Sequence, residues 1–453
     1  MSSIQQYIEL FEAQRPVIEQ GAPASLNMAR QEALAALKQK GLPTAKTETY
    51  KYTDVEAAFA PDYGVNLRRI RPNVDPHTAY RCAIPNLSTR LCHLVNDTPM
   101  LGEGGRMTYP DGVTVSSFRA VTETERELLQ EHYGAAVEDT PERGGTDAIS
   151  QLNTLLAQDG LLIYVPDGVK SEIPLQLVEV AATTQAELMS NRRLLIVIGR
   201  DSALSLLCCD HAQAGANGLT TQVAEILLDE KACLDLYRVE ETHAQNRRFN
   251  NLYVRQAASS RFNLCDITLQ CGLTRNTLRI NLTGEGAVCN LAGAVMADGS
   301  QSVDNNILVR HAVGSCSSDM LYKYVLDGQS RGAFAGKVLV EKDAQKSLSE
   351  QTNANLCASP QARAFSQPML EIYADDVKCN HGSTVGKLDE AALFYMRQRG
   401  IEEREARILL QHAFVNDVIS RISIDHVRER ISHLVERRFR GELEACGGCH
   451  LCK

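Results

Sequence analysis

The chain has 453 residues, 44% of them hydrophobic and 23% charged, ordinary globular proportions that exclude wholesale disorder. Its 47 basic and 56 acidic side chains leave a net charge of −9 spread along the chain, which argues against nucleic acid or an anionic membrane as the main partner. The longest aliphatic stretches, such as Leu194–Ile198, fall far short of the roughly 20 residues a membrane span needs, and residues 1–13 carry no basic or continuously apolar leader. A cytoplasmic location is expected, and with it fourteen reduced Cys serving as small core residues, metal ligands or redox groups.

The first zone, residues 1–145, opens with a helix. Leu26, Ala29, Ala33 and Leu37 recur at helical spacing from a start near Ser25, and Gly41 and Pro43 supply the stop. Residues 62–115 are irregular and carry little pattern. Helical composition returns over Glu123–His132 and gives way to a loop over Glu138–Gly145. The second zone, residues 146–388, changes character. Cys265, Ile267, Leu269 and Cys271 alternate with Asp266, Thr268 and Gln270, and Leu278, Ile280 and Leu282 alternate with Arg279 and Asn281. Period-two runs of this kind put one side of a strand into a core and leave the other wet. Val223 to Val239 and Ile307 to Leu326 give the same reading with more noise. A long series of short strands fits either a β-solenoid or a sandwich. The length favours the solenoid and the lack of a strict repeat disfavours it, so pattern alone leaves both open. The third zone, 389–440, is helical. Asp389 caps a helix through Arg399 with Ala392, Leu393 and Met396 inward and Gly400 at its end. A second helix carries Ala406, Leu409, Leu410, Ala413 and Phe414, and a third Val427, Ile431, Leu434 and Val435. Ile408, Val415 and Ile419 fall partly outside the second stripe, a surplus suited to a partner. Residues 441–453 form a Cys-rich tail.

Most enzyme signatures fail. Gly332-Ala-Phe-Ala-Gly336-Lys337-Val338 and Gly382-Ser-Thr-Val-Gly386-Lys387-Leu388 have three residues between their glycines where a phosphate loop has four, and neither has Ser or Thr after the Lys. Cys379 and His381, two residues apart, share one face of a strand, where a thiolate and an imidazole can ligate iron or zinc. A half-buried Cys beside a hydrogen-bonded His is the plainer reading of spacing alone. In the tail, Cys446, Cys449 and Cys452 follow two C-x₂-C steps beside His450, matching the first three ligands of a ferredoxin run without the fourth. They are candidate metal ligands for a labile site, against a reading of incidental thiols. Cys208, Cys209, Cys233, Cys265, Cys271 and Cys289 lie in strand patterns and read as core.

Two adjoining runs, Glu371-Ile-Tyr-Ala-Asp-Asp-Val-Lys-Cys-Asn-His-Gly-Ser-Thr-Val-Gly386 and Leu388-Asp-Glu-Ala-Ala-Leu-Phe-Tyr-Met-Arg-Gln-Arg-Gly-Ile401, resemble the SufB/SufD family of iron–sulfur cluster assembly scaffolds, most closely its SufD branch. The resemblance extends through Tyr322–Gly332, Ala344–Ser347, Gln351–Asn355, Val165–Val169 and Glu48–Thr53, and so covers most of the chain beyond residue 150. It implies a mainly β protein, a right-handed parallel β-helix (β-solenoid) flanked by N- and C-terminal helical regions. It implies a non-catalytic scaffold subunit that pairs with a SufB-like subunit and docks a SufC-like ATPase on residues 389–440. A transient iron–sulfur cluster would form at the subunit interface, with His381 as a ligand, Cys379 beside it, and Asp375 or Asp376 near enough in sequence to orient the ring. A reduced flavin at the level of the complex, and a homodimer of the isolated chain, are family-level alternatives. Tyr50 stands where the family has Trp, a mild departure, and the family pattern does not include the Cys-rich tail. An autonomous metal or iron–sulfur protein and a β-helix carbohydrate-active enzyme are the competing readings.

Overall fold

The computed structural model describes residues 2–67, 69, 84–138, 147–182, 187–213 and 217–443. From residue 161 onward the chain alternates between two sheets, so that each strand pairs in parallel with the strand two further along. Val288–Ala297, for instance, pairs with Arg261–Gln270 on one side and Ser317–Leu326 on the other. The result is a parallel β-solenoid of about seven turns whose two ten-stranded sheets face each other across a narrow lumen. No closed barrel or antiparallel sandwich is built. The segment without clear pattern, 62–115, supplies strands to both sheets. Arg90–Val95 pairs in parallel with Leu175–Ala181, and Thr114–Ser117 runs antiparallel to Leu161–Val165.

Below the terminal turn both faces of both sheets are largely covered, which changes the meaning of the period-two runs. Leu278, Ile280 and Leu282 do face the lumen core. Cys265, Ile267 and Leu269 face outward instead, against Val415, Val418 and Ile422 of the C-terminal region. Their partners Asp266 and Thr268 point into the lumen and are buried, not wet. Strands of parallel sheets are commonly sandwiched on both sides, so alternation marks two different interiors. On the other sheet, Met189, Leu219 and Phe249 face outward against Tyr7, Phe11, Phe59 and Leu152 of the N-terminal helical region. Each such large buried side chain contributes roughly 1.5–3 kcal/mol.

The helices match most of the sequence pattern. Ala24–Lys40 ends at Gly41, whose φ of 68° suits a residue without Cβ. The Glu123–His132 helix opens with a capping box between Thr122 and Glu125. Asp389 accepts from the backbone N–H groups of Ala391 and Ala392 at the head of Glu390–Gln398. The expected 138–145 loop lies largely outside the described residues.

Polar groups are also threaded through the interior. Asn250, Asn276 and Asn305 stack one turn apart, each amide donating to the next at 2.9 and 2.8 Å. Nearby, four carboxylates (Glu179, Asp210, Glu240, Asp266) meet three guanidiniums (Arg192, Arg238, Arg248), with Arg248 Nε 2.6 Å and Arg192 Nη1 3.1 Å from Asp210. The surplus carboxylate has a physical consequence: burial pushes the Glu240 carboxyl up to about 7, partly opposed by Arg248. The 48–53 segment pins the N-terminal region to the solenoid. Tyr50 donates to Asp147 (2.7 Å), Thr53 to Asp304 (2.6 Å), and the buried Arg275 pairs with Asp304 at 2.6 Å beneath the Tyr50 ring.

Candidate functional site

The last turn of the solenoid consists of Arg363–Ile372 and Lys378–Gly386, each the final strand of its sheet. Among the described residues each has a strand neighbour on one side only. The connection between them is stacked on the turn below, through Lys346 N–H to Asp376 O (2.6 Å) and Asp376 N–H to Gln345 Oε1 (2.8 Å). Lys378–Gly386 pairs without a register break to Leu348–Cys357. Cys379, His381, Ser383 and Val385 therefore continue the lumen-facing rows of Ser349, Gln351, Asn353 and Asn355. With no further turn stacked on it, the strand is exposed apart from the half-buried Cys379.

The two candidate ligands do share one face, in different surroundings. His381 is exposed, and among the described residues its imidazole has no hydrogen bond or ion pair. Asp375 and Asp376, offered by sequence proximity as its orienting acceptors, sit in the turn instead, where Asp376 is held through its backbone. Cys379 packs against Val338, Val340, Ala344 and Ala374. Burial pushes its thiol up, offset in part by the backbone N–H of Ser349. It is a thiol at neutral pH, whose proton an incoming metal would have to displace. Among the described residues no three His, Cys, Asp or Glu side chains converge as a metal site. Cys446, Cys449 and Cys452 lie outside the described residues.

Beneath the site runs a polar column that composition does not advertise. Ser349, Gln351, Asn353 and Asn355 are all buried. Asn355 donates to Asn353 at 2.7 Å, Ser366 donates to the same oxygen at 2.6 Å, and Ser383 donates to Ser366 at 2.6 Å. Deeper still, His311 contacts Ser318 at 2.9 Å, which contacts Ser349 at 2.9 Å. Burial lowers the His311 imidazole to about 4, so it is neutral. The Q-x-N-x-N spacing of residues 351–355 carried this signal: polar side chains alternating at period two inside an otherwise apolar series of strands.

The remaining motifs resolve as structure. The first glycine–lysine segment lies within the strand Arg331–Val340, and both glycines of the second lie in the strand Lys378–Gly386 with Lys387 just past its end, so neither forms a glycine loop that cradles a phosphate. Of the thiols read as core, Cys208, Cys209, Cys265, Cys271 and Cys289 are buried and Cys233 is partly so.

The C-terminal helices corrected one expectation. In Glu403–Ile419 the buried side is Ala406, Ile408, Val415, Val418 and Ile419, so the residues taken as surplus are the ones that pack. The exposed apolar groups are Leu409 (44%), Phe394 (63%) and Tyr395 (59%). Arg421 with Asp319 (2.8 Å), Arg438 with Asp298 (3.0 Å) and Lys323 with Asp417 tie these helices to the sheet. No described helix is long and apolar enough to cross a membrane.

Comparison with known proteins fits this arrangement. Residues 1–177 match the model of the SufBD protein N-terminal region, and residues 181–414 that of the SUF system FeS cluster assembly SufBD core domain. An iron-sulfur cluster assembly SufBD family protein of Synechocystis is 26% identical over 422 residues, covering 90% of each chain. The iron-sulfur cluster assembly protein SufD of Escherichia coli is 24% identical over 449 residues, covering 97% of each. SufD of Bacillus subtilis is 25% identical over 297 residues, 64% of this chain and 66% of that one. With a solenoid core between helical flanks and the two family models together matching residues 1–177 and 181–414, the chain belongs to the SufBD family of iron–sulfur cluster assembly proteins and is SufD-like.

Proposed function

We propose that the chain is a cytoplasmic, non-enzymatic scaffold subunit that pairs, through the open end of its solenoid, with a SufB-like subunit and carries a SufC-like ATPase on its C-terminal helices. The observation that carries this reading is the terminal turn. It combines two strand edges free of neighbours among the described residues, an exposed imidazole, and apolar side chains at Ile372, Tyr373 and Val385. Free edges of this length are templates for strand addition by another chain. A partner added there would cover His381 and Cys379, so that an iron–sulfur cluster assembled at the junction takes ligands from both subunits. The cluster is cargo, and the donor set suits release. A neutral imidazole can replace a thiolate on cluster iron, which lowers the anionic charge on the cluster. The absence of a phosphate loop in either glycine–lysine segment supports leaving ATP hydrolysis to the partner.

His381→Ala and Cys379→Ala, each in the anaerobically assembled complex, test the ligand assignment. Complex yield, ATPase rate and cluster content are measured separately. His381→Ala is expected to lose cluster while yield and ATPase rate stay at wild-type values. Undiminished cluster content in that variant would end the assignment.

A further inference from the structure

Gln351 is the register partner of His381 on the neighbouring strand, on the same lumen-facing side. Adjacent strands lie about 4.8 Å apart, within reach of one side chain for the next. The Gln351 side chain is buried and reaches across the lumen, where Nε2 donates to Gly336 O at 3.0 Å. Gly336 leaves room for it, since a Cβ there would collide with that same nitrogen. The donated bond fixes which way the amide faces. Its oxygen, Oε1, is buried and has no hydrogen-bond partner among the described residues. A buried carbonyl oxygen without a donor costs about 1–3 kcal/mol. On the inner side of Gln351 its register neighbour is Met320, which has no proton to give. On the outer side it is His381.

Resting on the reading of His381 as a cluster ligand, we infer that Gln351 positions it: the two side chains make no hydrogen bond in this structure, and a turn of the exposed imidazole toward the lumen lets the unpartnered Oε1 accept its N–H and hold the ring in one tautomer, with the second ring nitrogen left for the iron. Metal-ligating histidines generally place their other N–H on such an acceptor, and removing the acceptor weakens metal affinity about 10- to 100-fold. Gln351 touches neither iron nor sulfide. It acts through His381, and Gly336 acts through Gln351.

The test is long-range ¹H–¹⁵N NMR of the full chain with labelled histidine, the His381 signals being assigned by their loss in His381→Ala. The neutral ring is expected as a single tautomer in the unmodified protein and as a mixture in Gln351→Met, which keeps the side-chain length and removes the acceptor. In the assembled complex, Gln351→Met should hold cluster iron about 10- to 100-fold more weakly. A mixture in the unmodified protein overturns the inference even if the variant fails to fold. So does a Gln351→Met ring identical to wild type. A tautomer shift as expected, together with full cluster content in His381→Ala, upholds the positioning by Gln351 and removes the ligand reading instead.

Discussion

At the scale of single residues, the interior of this solenoid behaves unlike an apolar core. The lumen cluster holds one more carboxylate than guanidinium, and burial raises two of its four carboxyls, Glu179 and Glu240, against the pull of the arginines. Asp210, against Arg192 and Arg248, stays below the ordinary carboxylate range despite its burial, whereas Glu240 rises from an ordinary 4.5 to about 7. A carboxyl raised on folding binds protons more tightly in the native state. Its contribution is therefore full below the unfolded value and lost as pH climbs from about 4.5 to about 7. Glu240→Gln imitates the protonated form. It should match wild-type stability near pH 5 and exceed it by up to about 3 kcal/mol at pH 8, as read by urea denaturation at both pH values. Equal midpoints at pH 8 would show that Glu240 is ionised and paired after all. The terminal turn shows the same contrast on a smaller scale, since Cys379 and His381 share a face while only one of them is exposed.

Among the elements, the C-terminal helices separate two roles that a hydrophobic stripe cannot distinguish. The helix over Glu403–Ile419 turns Val415, Val418 and Ile419 onto the outer sheet face and leaves Leu409 outside, while Glu390–Gln398 buries Leu393 and exposes Phe394 and Tyr395. Exposed apolar groups clustered on neighbouring helices are suited to a partner. Changing Phe394, Tyr395 and Leu409 together to Ser should abolish co-purification of the ATPase. Thermal stability should shift by no more than about 0.5 kcal/mol per substitution, because none of the three is part of the core. Retention of the ATPase by the triple variant would place its docking site elsewhere. Helix ends were legible because their signals are local: Asp389 caps, Gly41 terminates, and Thr122 with Glu125 closes a capping box. The buried side was legible for Asp425–Arg440, whose Val427, Ile431, Leu434 and Val435 all pack, and not for Glu403–Ile419, where it depends on how the helix lies against the sheet.

For the whole molecule, the decisive feature is that, among the described residues, no strand is stacked on the last turn of the solenoid. Repeat folds stack neighbours to bury their faces, and a terminal unit lacking a polar cover leaves a surface for association. Val385, 56% exposed and near the C-terminal end of the terminal strand, is one of the apolar side chains of that surface. Val385→Lys places a charge where a partner strand would add, the device that natural edge strands use against pairing. The variant should fold with unchanged melting behaviour and lose association with the SufB-like subunit in size-exclusion chromatography. Any homodimer of the isolated chain formed through the same edge should dissociate as well. Co-elution of Val385→Lys with the partner would move the interface away from this end.

The alternating runs of the middle zone, most of the helical stripes that flank it and the shared face of Cys379 and His381 were present in the chain itself, because strand period, helix caps and same-face spacing are properties of a few consecutive residues. The solenoid repeat was hidden for a physical reason. One corner of six successive turns adopts a left-handed backbone, yet that position is held in succession by Asp201, Lys231, Ser259, Gly286, Ser315 and Lys346, at separations of 27 to 31 residues. A conformation tolerated at a cost of about 1–2 kcal/mol by ordinary residues leaves no constant letter in the sequence. Only the stacked turns decided that Asp266 and Glu240 face a lumen rather than water, and that Gln351 lies beneath His381. Those placements are set by register between strands some thirty residues apart. Only the ending of the stack, with no described turn laid over Lys378–Gly386, left the imidazole exposed.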